Sequence, residues 1–153
     1  MEIFEGTFIT QRYTVDSSDA DQRFVVNDNR IDISSLSVVV QNSVSDTTTS
    51  TYTKATDITQ LTGDSSVFFL QEVESGKFEV YFGDGVVSKS ISDGNIVLLT
   101  YVATNKELAN GASTFSNTGA IDGETDITVT TVGSADGGGE RETLASIKLN
   151  APL

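Results

Sequence analysis

Val67-Phe68-Phe69-Leu70-Gln71-Glu72-Val73-Glu74-Ser75-Gly76-Lys77-Phe78-Glu79-Val80-Tyr81-Phe82 carries the strongest strand pattern in the chain. Two runs rich in aromatic and branched side chains flank Glu74-Ser75-Gly76-Lys77, the pattern of a β-hairpin. A two-residue Ser75-Gly76 turn, with Gly supplying a positive φ, fixes the register. Val73 then opposes Phe78, Gln71 opposes Val80 and Phe69 opposes Phe82, and this largely apolar face points at a core. On the other face Leu70 meets Tyr81 and Glu72 meets Glu79. Like charges set opposite each other repel, so that end of the face is expected to stay wet. A metal ion between Glu72 and Glu79 is the sharper alternative.

The hairpin runs straight into Phe82-Gly83-Asp84-Gly85-Val86-Val87. A phosphate-binding loop would need a Gly-Lys-Ser/Thr ending and a following helix, and a dinucleotide fingerprint needs three spaced glycines opening a helix. Neither is present. The stretch predicts a tight turn in which Gly on each side of Asp84 permits positive φ and the Asp84 carboxylate caps backbone amides. Further on, Ile96 to Ala103 is apolar on both faces: Ile96, Leu98 and Val102 on one, Val97, Leu99, Tyr101 and Ala103 on the other. Such a strand is expected to be covered on both sides, as a central strand or against another subunit.

Similar short runs recur outward in both directions. Phe8 to Val15, Arg23 to Val26 and Leu36 to Gln41 read as strands, with Leu36, Val38 and Val40 sharing a face. Ser43 to Ser50 reads as a loop or hairpin tip, and Thr51 to Lys54 as an edge strand continuing from it. Residues 105–124 are irregular, and Ile127 to Val132 alternates Thr with Ile and Val as a last strand. Gly137-Gly138-Gly139 then breaks the chain. Glu140 to Leu149 predicts a short helix, with acids in its first turn and Lys148 in its last, the sense the helix dipole favours. Leu144 and Ile147 mark its apolar side. Pro152 follows with nothing for that side to pack on, which predicts a segment of a longer protein.

These elements predict a mainly β fold, an antiparallel two-layer sandwich or barrel-like domain with a short C-terminal helix. The β domain is expected over 1–136, with the hairpins of 67–104 at its core. Residues 137–153 form a Gly-rich link and the start of a helix leading to a following part.

Composition supports this and narrows function. The chain has 153 residues, one domain's worth. A chain of that size buries about 68–70% of its unfolded surface. Only 37% of residues are apolar, and the balance is made up by 20 Thr and 18 Ser, which suit half-buried strands and turns. With 22 acids against 9 bases the formal charge is −13. That disfavours both a phosphate-neutralising surface and an anionic membrane. Cys is absent, which rules out disulfides and fits a reducing compartment. No basic segment followed by an apolar run opens the chain, so no signal peptide is expected. His is absent as well. Losing both residue types removes zinc sites, Ser-His-Asp triads and Cys-His dyads.

Two acidic patterns remain. Asp16, Asp19 and Asp21 suggest a calcium loop, but counting from Asp16 places Ser18 third, Asp21 sixth and Asn27 twelfth, where an EF-hand needs a ligand, Gly and Glu. A solvated loop is the expectation. Paired carboxylates could serve glycoside hydrolysis, yet no pair stands out, and with no Trp and four Tyr few rings could stack on sugar. The residues nominate no catalytic, cofactor-binding or metal site.

From Val67 to Leu153 the chain resembles the baseplate wedge proteins of contractile-tailed bacteriophages. The likeness is to the large wedge subunit of T4-like phages, related to the J-type baseplate proteins of other contractile tails. Four stretches carry it: Phe68 through Gly85, Ser92 through Thr104, Ala109-Asn110-Gly111-Ala112, and Gly137 through Leu144 leading to Ala151-Pro152. The first 66 residues match less distinctly. The family usually has Gly where this chain has Ser88, and Gly after the long strand where it has Asn105-Lys106; Asn tolerates the left-handed turn. The resemblance implies a structural, non-enzymatic protein of the virion tail baseplate, assembled in the host cytoplasm. Its implied partners are other wedge proteins and further copies of itself, with no cofactor, nucleic acid or membrane. It also implies a β-rich insertion between more helical parts. The alternative reading is a calcium- or carbohydrate-binding β module.

Overall fold

A computed structural model of the protein describes residues 5–19, 22–140, 142 and 144–150. Gly6–Thr104 form one compact unit, and the rest of the chain a second.

The first unit is a single seven-stranded sheet. Its strands are β1 (Thr7–Thr14), β2 (Phe24–Val26), β3 (Ile31–Gln41), β4 (Thr49–Lys54), β5 (Val67–Glu72), β6 (Phe78–Phe82) and β7 (Ile96–Ala103), in the order β1-β7-β3-β4-β5-β6-β2. Of the two architectures expected, the barrel-like one is found. The sheet curls until it is nearly closed, and side chains bridge its outermost strands at one end: the Tyr13 hydroxyl of β1 donates to the Val25 carbonyl of β2 at 2.6 Å. Edge-to-face ring contacts run on from there, Tyr13 to Phe24, Phe24 to Phe82 and Phe82 to Tyr52, with centroids 5.6, 5.7 and 5.3 Å apart. Such contacts add about 0.5–1.5 kcal/mol each beyond their buried area. Around them lie Val26, Val38, Val80, Val97, Leu99 and Tyr101, all essentially without solvent contact.

Pairing is antiparallel except between β4 and β5, which run parallel through Thr53–Val67 and Lys54–Phe68. Parallel neighbours need a crossover of about a dozen residues, which the connection 55–66 supplies. β4 therefore lies between β3 and β5 and is not the edge strand its Thr-rich sequence suggests. β7 matches expectation residue for residue and sits between β1 and β3. Val97, Leu99, Tyr101 and Ala103 fill the core, whereas Leu98 and Val102 on the outer face are only half-buried.

The β5–β6 register differs from the expected one by one residue. Phe68 opposes Phe82, Leu70 opposes Val80 and Gln71 opposes Glu79. The connection is a three-residue loop, Glu74–Gly76, closed by the Val73 amide on the Lys77 carbonyl at 2.9 Å. Gly76 adopts φ +71°, the left-handed residue such a loop requires. One extra loop residue exchanges the faces of β5. Phe68 now enters the core, and Phe69 stacks on Tyr81 outside it, centroids 5.3 Å apart.

β3 begins five residues earlier than its apolar pattern indicates and is bulged between Asp32 and Ser37. Ser35 repairs the ladder there. Its Oγ accepts from the Val102 amide at 2.9 Å and donates to the Asp32 carbonyl at 2.6 Å.

In the second unit residues 127–132 form no strand, and Val132 is fully exposed. Alternating Thr and Val make a strand only when an edge is there to pair with, and none of the described strands takes them. A short turn of helix spans Lys106–Ala109. The left-handed residue is Lys106, at φ +54°, whereas Asn105 has φ −91°. Asn110 clasps Gly138 from both sides, Nδ2 donating to its carbonyl at 2.8 Å and Oδ1 accepting from its amide at 2.9 Å. A Cβ on Gly138 would lie 2.3 Å from the Lys106 carbonyl oxygen, so glycine is required. The helix α1 spans Leu144–Asn150, starting later than Glu140; Arg141 and Thr143 lie outside the described residues.

Candidate functional site

The loop after β6 is a braced turn. The Asp84 carboxylate accepts from the Val86 and Val87 amides at 2.9 and 3.4 Å, and these bonds hold its pKa below the usual carboxylate value. Gly85 lies at φ +89° and donates to the Ser88 carbonyl at 2.9 Å. Gly83 serves a different purpose: a Cβ there would come within 2.0 Å of Ser88 Oγ. Beneath the loop, Gly63 lies against the Gly85 carbonyl and the Lys89 amide donates to Ser65. Val86 and Val87 project into solvent from this rigid base. Ser88 has no solvent exposure and its hydroxyl finds no partner.

The acids of the opening loop serve local structure. Asp16 Oδ1 accepts from the Ser18 amide and hydroxyl at 2.9 and 2.6 Å, which lowers its pKa. Asp93 accepts from the Ser17 amide at 2.9 Å and ties this loop to the start of β7. Asp21 lies outside the described residues. Glu79 does not face Glu72. Arg23 Nε donates to it at 2.7 Å and the two groups form an ion pair, so the register that would have put a metal between two glutamates is absent. Among the described residues no three acids come close enough to hold a metal ion. On α1, Ile147 is 48% exposed, while the Leu144 side chain lies outside the described set.

One feature that the strand patterns did not single out is the free side of β1. The Val15 amide donates to Asn95 on the β7 side, and the Val102 amide points to β3. Strand alternation then directs the amides and carbonyls of Thr7, Ile9, Gln11 and Tyr13 at β7, and those of Phe8, Thr10, Arg12 and Thr14 away from it. Gln22 Nε2 occupies the Thr14 carbonyl at 2.8 Å. Among the described residues the backbone groups of Phe8, Thr10 and Arg12 stay open on that side. The signal for this in the sequence is what β1 lacks: Pro, Lys and Gly.

Fold and site define a β-barrel-like domain with a braced loop and a free strand edge. A family model described as bacteriophage baseplate wedge protein gp6, third domain, matches residues 9–115, and the chain belongs to that family. It is also 28% identical over 109 residues to baseplate wedge protein gp6 of Enterobacteria phage T4, a match covering 55% of this chain and 16% of that protein. The chain thus corresponds to a small fraction of that relative's length. The family match takes in the first half of the chain, where the residue patterns were less distinct, and ends before the triple glycine. Membership makes this a structural protein of the virion's tail baseplate.

Proposed function

We propose that the chain acts in assembly of the baseplate wedge through protein–protein contacts, with other wedge proteins and with further copies of itself, and performs no catalysis. The family match carries the reading. The braced Val86-Val87 tip and the open β1 edge support it as surfaces built for contact. The formal charge of −13 supports partners other than nucleic acid or an anionic membrane, and assembly in the host cytoplasm fits a chain without Cys. The test is a phage whose copy of residues 6–104 is deleted in frame. Tails without completed baseplates are expected in electron micrographs. Intact, contractile particles would overturn the proposal. Calorimetry with calcium and a glycan panel serves the alternative reading, which micromolar binding of either would favour.

A further inference from the structure

We infer that the free edge of β1 takes up an extended segment of a partner protein, added as an antiparallel strand beside Phe8, Thr10 and Arg12. Four observations converge on this edge. β1 is eight residues long and pairs with β7 without a break from Thr7–Ala103 to Thr14–Ile96. Natural edges of that length are usually blunted by Pro, charged side chains, a bulge or a covering segment, and among the described residues this one carries only the single charge of Arg12. Its outward backbone groups recur at every second residue, the spacing an incoming strand needs. Tyr13 and Gln22 close the sheet only at the far end, leaving the outward backbone groups of Phe8, Thr10 and Arg12 without a partner among the described residues.

The side chains specify the segment. On the outer face Phe8 is 78% exposed and offers an apolar contact. Thr10 bonds Thr100 on β7 at 2.9 Å, which fixes this face as the one shared with the neighbouring strands. Arg12 is exposed and enters no ion pair among the described residues, although acids outnumber bases 22 to 9 in this chain. Arg12 lies on the edge strand itself, so its guanidinium is available to an acid on the incoming segment. On the inner face Gln11 Oε1 is buried with no donor. The segment therefore carries an acid facing Arg12, a hydrogen-bond donor beside Gln11, Thr or Ser facing Thr10, and a branched apolar residue facing Phe8. This deepens the assembly reading and rests on it for the partner being a protein; the edge is tested separately.

The probe is the acetylated, amidated peptide Thr-Glu-Asn-Thr-Val-Ile-Thr, titrated into the full isotope-labelled chain and followed by amide chemical shifts. Perturbation is expected at Phe8, Thr10 and Arg12. N-methylation of the central Thr amide, which deletes the donor facing Thr10, should weaken binding at least about tenfold. Exchanging Glu for Lys should weaken it about threefold to fivefold, and Arg12→Glu should reverse that preference. Thr10→Pro should abolish binding while the sheet stays folded, because an edge strand tolerates proline where its amide faces solvent. If that variant unfolds, the N-methylated peptide still decides. Absence of binding at millimolar peptide, or binding indifferent to N-methylation, overturns the inference. Failure here beside missing baseplates in the deletion phage would reject the edge and leave the assembly role standing.

Discussion

Ser88, in the loop after β6, and Ser35, in β3, show how differently one residue type behaves in this unit. Ser88 is buried with an idle hydroxyl, and an unsatisfied buried polar group costs about 1–3 kcal/mol. Ser88→Ala is expected to raise stability by about 1 kcal/mol in urea denaturation; a loss would mean that the hydroxyl has a partner. Ser35 replaces a missing ladder bond, so Ser35→Ala should cost about 1–3 kcal/mol by the same measurement, since it orphans the Val102 amide. Asp84 gives a pH signature. Its folded pKa is lowered, chiefly by the Val86 amide, below the unfolded value of 3.8. The stabilisation is therefore complete above that value and fades as pH falls through the folded pKa. The difference in melting temperature between the protein and Asp84→Ala should be level from pH 7 to about 5 and shrink below about 4. A gap that widens in acid contradicts the cap. The capping role of Asp84 was legible from two flanking glycines. The separate reasons for those glycines were not, because Gly83's depends on Ser88, five residues on in the chain and brought back by the turn.

Strands with strong apolar patterning declared themselves. β7 matched to the residue, since Val97, Leu99 and Tyr101 alternate into a core whatever the neighbours are. Leu99→Ala should cost about 3 kcal/mol in the same denaturation assay, against under about 0.5 kcal/mol for an exposed change such as Val44→Ala. Equal costs would contradict the burial of the inner face. The β5–β6 hairpin was legible as an element and not in register. Glu74-Ser75-Gly76 serves a two-residue or a three-residue loop equally well on paper, and Phe68 and Phe69 are equally apolar candidates for the core. The three-residue loop separates them, because it sets Phe68 and not Phe69 opposite the core-facing Phe82. β4 was misplaced at an edge for a related reason: its parallel pairing with β5 spans two residue pairs and leaves little mark on sequence. Residues 127–132 show the converse, a strand pattern without a strand, because β propensity is realised only beside a partner.

At the scale of the molecule, the seven strands curl into a barrel whose closure relies on side chains at one end of the β1–β2 seam. The family resemblance was legible from Phe68 onward because turn residues at fixed spacing survive as text. The candidate edge on β1 was hidden because edge status belongs to sheet order, which only the folded chain reveals. A cryo-electron microscopy reconstruction of the phage's baseplate at side-chain resolution tests the proposed contact-making role of this domain in the wedge. The Gly6–Thr104 barrel is expected within the wedge, packed against neighbouring subunits. A baseplate lacking the barrel, or holding it free of every neighbour, would overturn that role.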